Sequence, residues 1–152
     1  MKTLIPVLLL LTLVSACASG PGKAELDAEV RRLCAIDGGV KVYETVRLPA
    51  ERFDKYGQIH VPQKQGAKPV DEYFYEWKVT YLKFGMPDDG IPDLARSQFL
   101  LYRIGDNKLL GKSVSYIRRG GDFPGPWHPS SFSCPSNADF IDLKKQVFIT
   151  AD

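Results

Sequence analysis

The chain has 152 residues, 44% of them hydrophobic and 25% charged, with a formal net charge of +2. That is one domain's length, enough to enclose a core. The balance of 20 basic against 18 acidic residues excludes the clustered basic excess of a nucleic-acid binder. Arg31-Arg32, Arg118-Arg119 and Lys144-Lys145 are separate pairs and read as solvated surface charge.

Met1-Lys2 is a short positive start, Thr3 to Val14 an uncharged apolar run, and Ser15-Ala16 are small residues directly before Cys17. A positive start, an apolar stretch of about 7–15 residues and a small-residue cleavage site define an export signal. The run is shorter than the ~20 residues that cross a bilayer as a helix, and Pro6 interrupts it. Val14-Ser15-Ala16-Cys17 resembles the lipobox of bacterial lipoproteins, an aliphatic residue, two small residues and a cysteine. The resemblance covers residues 1–17 and is specific, because charge, apolar run, small residues and cysteine fall in the required order. It implies a diacylglyceryl group on the Cys17 sulfur, cleavage before Cys17, and acylation of the new amine. Stable attachment takes about two acyl chains at about 0.8 kcal/mol per buried methylene. Ala18, where Asp would signal retention in the inner membrane, implies an outer-membrane anchor facing the periplasm.

Residues 1–16 are therefore expected to be removed, residues 17–23 to form the lipidated cysteine and a short tether, and residues 24–152 to form one domain. Only Lys2 is charged in the removed part, so the mature chain carries 19 basic and 18 acidic residues. With Cys17 lipidated, Cys34 and Cys134 remain in an oxidising compartment, where cysteines pair. A Cys34–Cys134 bridge is expected, closing a loop worth about 4–5 kcal/mol before any native strain. The alternatives are a reactive thiol, or a Cys-His nucleophile with His60 or His128.

Ala24 to Ile36 reads as a helix, with Leu26, Val30, Leu33 and Cys34 on one face and Gly38-Gly39 as the stop. Val40 to Leu48 alternates as one half-buried strand, Glu44 being the exception. Pro49 to Tyr56 suggests a short helical turn, and residues 57–70 a mobile loop. Glu72 to Phe84 is the clearest strand. Tyr73, Tyr75, Trp77, Val79 and Tyr81 share one face, and Glu76, Lys78 and Thr80 the other. Residues 85–96 are a turn-rich connection. Ser97–Ile104 and Lys112–Arg118 flank Gly105-Asp106-Asn107 as a hairpin. Residues 119–138 form a long Gly- and Pro-rich loop, and Gln146–Thr150 a final strand. The expected fold is α+β, an N-terminal helix packed on one face of an antiparallel sheet of about five strands, with one disulfide.

Asp88, Asp89 and Asp93 suggest a calcium loop, but their spacing departs from the EF-hand pattern and a turn explains them as well. Trp127-His128 sits in a Pro-rich loop that could be a recognition tip. Packing of Trp127 back on the sheet is the favoured reading. Ser130, Ser131 and Ser133 near His128 invite a Ser-His-Asp triad, yet no G-x-S-x-G elbow is present. The row Tyr73, Tyr75, Trp77 and Tyr81 could line a ligand or peptidoglycan groove, although strand-spaced aromatics are first read as core. Trp127, His128, Tyr73 and Tyr75 stand as the binding candidates. No catalytic or metal set emerges, no cofactor is expected, and the partners expected are a membrane, through the lipid, and another envelope protein. The function expected is a non-catalytic protein-binding lipoprotein of the envelope, an accessory or an immunity or exclusion module. The alternatives are a hydrolase of envelope polymer using His128 with a carboxylate, and a purely structural envelope protein.

Overall fold

The structure is a computed structural model that describes residues 21–123 and 125–151. The lipobox and Cys17 lie outside the described residues.

Helix α1, Lys23–Asp37, buries Leu26 and Val30, the positions its spacing marks as an inner face. The Gly38 amide ends it by donating to the Cys34 carbonyl at 2.8 Å. Strand β1, Gly39–Val42, follows at once. The expected single strand over Val40–Leu48 is two strands. After β1 the chain breaks where the Tyr43 and Glu44 amides both donate to the Leu110 carbonyl. Glu44, the residue that spoiled the alternation, pairs with Arg103 and Lys108. Strand β2, Val46–Leu48, then leaves the main sheet and pairs with β7, Phe148–Thr150, in parallel.

Three long strands build the frame: β3, Tyr73–Lys83, β4, Asp93–Arg103, and β5, Lys108–Arg119. Each pairs antiparallel with the next. The β4–β5 turn holds Asn107 at φ 53°, a left-handed conformation asparagine tolerates. The far edge of β5 is shared. Strand β1 takes Gly111 to Val114, and β6, Ser131–Cys134, takes Tyr116 to Arg119. The five-stranded sheet therefore runs β1-β5-β4-β3, with β6 beside β1.

Directly opposed residues of antiparallel strands share a face. One face carries Tyr75, Leu101, Gly111 and Val42 in a row. Helix α2, Phe140–Val147, covers it. A Cβ on Gly111 would lie 3.0 Å from Leu143 Cδ1 and 3.1 Å from Val147 Cγ2, so the glycine is what lets the helix sit down on the strand. This helix lies where the sequence gives only a loop end and a strand start. Its local signals are an Asp139 cap accepting from the Asp142 amide at 2.8 Å and apolar Phe140, Leu143 and Val147 on one side. The β2–β7 pair completes this core, together with Ile59 and Val61. The loop over 57–70 thus forms no strand, yet it contributes two core residues instead of projecting freely.

The opposite face carries Leu94, Val114 and Tyr116, and α1 covers it. The fold is α+β, with a mainly antiparallel sheet, α1 on one face as expected, and a second helix on the other. Cys34 at the end of α1 bonds Cys134 at the end of β6, with Cα atoms 5.9 Å apart.

Candidate functional site

The disulfide consumes both described thiols, which removes the Cys-His nucleophile. The binding candidates fall in two places.

Trp127 and His128 ride on the loop after β5. Its neck is built by Arg118, which is not a surface residue: its side chain is buried. Arg118 donates to the Asp27 carboxylate of α1 at 2.7 Å, to the carbonyls of Gly120 and Ser130 at 2.8 Å each, and to Ser130 Oγ. Asp122 accepts from the Lys23 ammonium, the Ser130 amide and the Ser130 hydroxyl, the first two at 2.6 Å. Those three donors, Lys23 foremost, hold the Asp122 carboxyl well below the usual carboxylate range. Gly120 closes the neck at φ 77° and lies so near the Pro87 backbone that a side chain would collide.

Above this neck the loop opens to solvent. Trp127 does not pack on the sheet. It is 60% exposed and shares a shallow depression with Pro87, Asp88 and Phe123. His128 is exposed, and among the described residues it hydrogen-bonds no carboxylate. Ser130 is taken up by Asp122 and Arg118, and His128 has no part in that arrangement. Asp93 is buried and accepts from Arg119 at 2.5 Å, so it is committed to an ion pair while Asp88 and Asp89 form a turn. No cluster of metal-ligating side chains occurs among the described residues.

The second place is β3, where the reading of the row as core holds for its first part only. Tyr73 and Tyr75, the candidate binders, belong to the core. Tyr73 meets Phe148 edge-on at 4.8 Å, and Tyr75 lies 4.1 Å from the Phe140 ring. Trp77, Val79 and Tyr81, the same stripe continued, are exposed at 54%, 44% and 39%. The reason is the length of α2. Its first residue, Phe140, reaches Phe99 at 5.6 Å, and Trp77 stacks on the other side of Phe99 at 6.0 Å. Beyond Phe99 no helix or strand among the described residues covers the row, and only Phe84 stacks on it, 4.8 Å from the Tyr81 ring. The Trp77 indole N–H donates to Ser97 Oγ at 3.0 Å, and Arg119 donates to the Tyr81 hydroxyl.

The backbone beside this row is also open. The Tyr75 amide points away from β4 and donates to the Pro62 carbonyl at 3.0 Å. Residues of the same parity face the same edge, so the amides and carbonyls of Trp77, Val79 and Tyr81 point there too. No described strand pairs with them. The rim is basic. Lys64 and Lys78 both bind Glu76, and Lys83 has no acidic partner among the described residues. The sequence signal for this site was present in the stripe itself. What it lacked was where the covering helix stops.

A third, polar cleft of about 500 Å³ lies between residues 51–61 and Lys144. Its Asp54 carboxylate is occupied by the Gln58 and Tyr56 amides, which lower its pKa. Burial lowers that of Lys144, which donates to the Ile59 carbonyl. Both groups brace the segment. No helix among the described residues is long and apolar enough to cross a membrane. Compared with known families, curated proteins and solved structures, the chain matches none of them.

Proposed function

We propose that the chain is a lipid-anchored, non-catalytic binding module of the bacterial cell envelope. It is held through Cys17 on the outer membrane, facing the periplasm, and takes up an extended segment of another envelope protein as a strand beside β3. The anchor rests on the order Lys2, apolar run, Val14-Ser15-Ala16-Cys17. A disulfide between the two remaining cysteines fits an oxidising compartment.

The observation that carries the binding role is the open half of β3. It combines unpaired backbone groups, an exposed Trp77-Val79-Tyr81 row and a basic rim. Strand addition uses the backbone groups for affinity and alternate side chains for specificity. Trp and Tyr are the residues that dominate binding energy at such surfaces. The excess of lysine selects a segment bearing carboxylates.

The test is a photo-crosslinking residue at position 79 of the full chain in its native envelope. A discrete adduct is expected, lost in Trp77→Ser while the melting temperature of the purified protein is unchanged. No adduct at 79, or an adduct indifferent to Trp77→Ser, sinks the reading. An adduct of twice the chain's mass identifies a second copy as the occupant and overturns the choice of partner.

A further inference from the structure

We infer that the end of the sheet formed by residues 84–92, 120–123 and 125–130 rests in the headgroup–acyl boundary of the membrane that holds the anchor. This rests on the lipid-anchoring reading above. The occupant is a lipid surface of low net charge.

The first observation is where the chain enters the domain. Pro21 and Gly22 line a cleft of about 270 Å³ together with Ile91, Pro92 and Gly121. Lys23, at the start of α1, is tied to Asp122 at 2.6 Å. From Cys17 to Lys23 is six residue steps, which span about 20 Å fully extended. An acylated Cys17 therefore keeps the start of α1, and with it this end, within about 20 Å of the bilayer.

The second observation is what that end exposes. Phe84 is 78%, Phe123 85% and Trp127 60% exposed, with Met86 and Ile91 also open. Aromatic side chains with apolar bodies are those that settle at membrane interfaces. The opposite end, at the β4–β5 turn, exposes Tyr43, Val70 and Ile104 but lies at the far end of the strands from the start of α1. Third, the Arg118–Ser130–Asp122 neck holds the loop in place before it meets any surface, so docking orders little that is not already ordered. The charges facing this end do not favour an acidic surface. Asp88 and Asp89 are exposed, and Lys83 offsets only one of them. Attraction is thus apolar, which suits a bilayer rich in zwitterionic lipid rather than one recognised by charge.

The two tryptophans, Trp77 and Trp127, allow a direct test. The full chain is produced with residues 1–16 in a bacterial host that lipidates it, then reconstituted in phosphatidylethanolamine–phosphatidylglycerol vesicles. Trp77→Phe leaves Trp127 as sole reporter, and Trp127→Phe leaves Trp77. Lipid brominated near the headgroup end of its acyl chains is expected to remove most of the Trp127 emission and to leave Trp77 unchanged. Trp127 that stays as open to aqueous iodide on vesicles as in detergent-free buffer, while the protein floats with the vesicles, overturns the docking and leaves the anchor standing. Protection of Trp127 that appears only after envelope proteins are added also overturns it, in favour of a protein occupant. A mature mass without acyl chains, with no flotation, overturns the anchoring reading and this one with it.

Discussion

Asp122 and Arg118 show how single charges shape an outer loop. Arg118 joins three elements, α1 through Asp27, β5 through its own backbone, and the returning loop through Ser130. Asp122 fastens the same loop to the start of α1. Its carboxyl, held low by Lys23, the Ser130 amide and the Ser130 hydroxyl, gives a signed pH dependence. A carboxyl lowered in the folded state contributes fully above its unfolded pKa of about 3.9, and the contribution is lost as pH falls through the lower folded value. In urea unfolding, Asp122→Asn is expected to be less stable than the wild type by a constant amount from neutral pH to about 5, and the gap to narrow below about 4. A gap that widens on acidification contradicts the assignment. Neither residue was legible as structural. Arg118-Arg119 looks like any exposed basic pair, because the carboxylate that draws Arg118 inward lies 91 positions away in sequence.

At the scale of elements, α1, β3 and the β4–β5 hairpin were readable because each carries its own period or turn residues. The break between β1 and β2 and the whole of α2 were not. A strand that changes sheets halfway still alternates, and only Glu44 hinted at the change. Helix α2 spans eight residues, too few for periodicity to separate it from a loop. Yet α2 decides the site, since its first residue sets the boundary between partly buried Tyr75 and open Trp77. Leu143 is its fully buried centre, facing Gly111. Leu143→Ala is expected to cost about 3–5 kcal/mol in chemical denaturation, the range for a buried leucine whose cavity cannot collapse. A cost below about 1 kcal/mol would mean that α2 packs loosely. Tyr73 and Tyr75, read first as core and carried also as binding candidates, show the limit of the same signal. Strand period tells which residues share a face, and the helix that covers part of that face is specified elsewhere in the chain.

For the molecule as a whole, the cysteine arithmetic was the most informative reading, because pairing depends on count and compartment rather than on local structure. The bridge closes 100 residues of separation and joins α1 to β6. Replacing both cysteines by alanine is expected to lower stability by up to about 4–5 kcal/mol, measured from urea midpoints with the slope checked for change. Unchanged stability would show that the bridge closes a loop already closed in the unfolded chain.

That same bridge has a mechanical consequence. Residues 35–133, with β1 to β5 and most of β6, lie inside its covalent loop. A pull between Lys23 and the last described residues enters through α1, passes across the sulfurs and leaves through the segment after Cys134, so β1 to β5 are bypassed while α2 and β7 lie in its path. Only about 30 residues can then be drawn out, roughly 100 Å of chain, against roughly 450 Å once the bond is reduced. A partner gripping β3 pulls instead from inside the covalent loop, so its load reaches the anchored end of α1 through the β3–β4–β5 ladder as well as through the one covalent link.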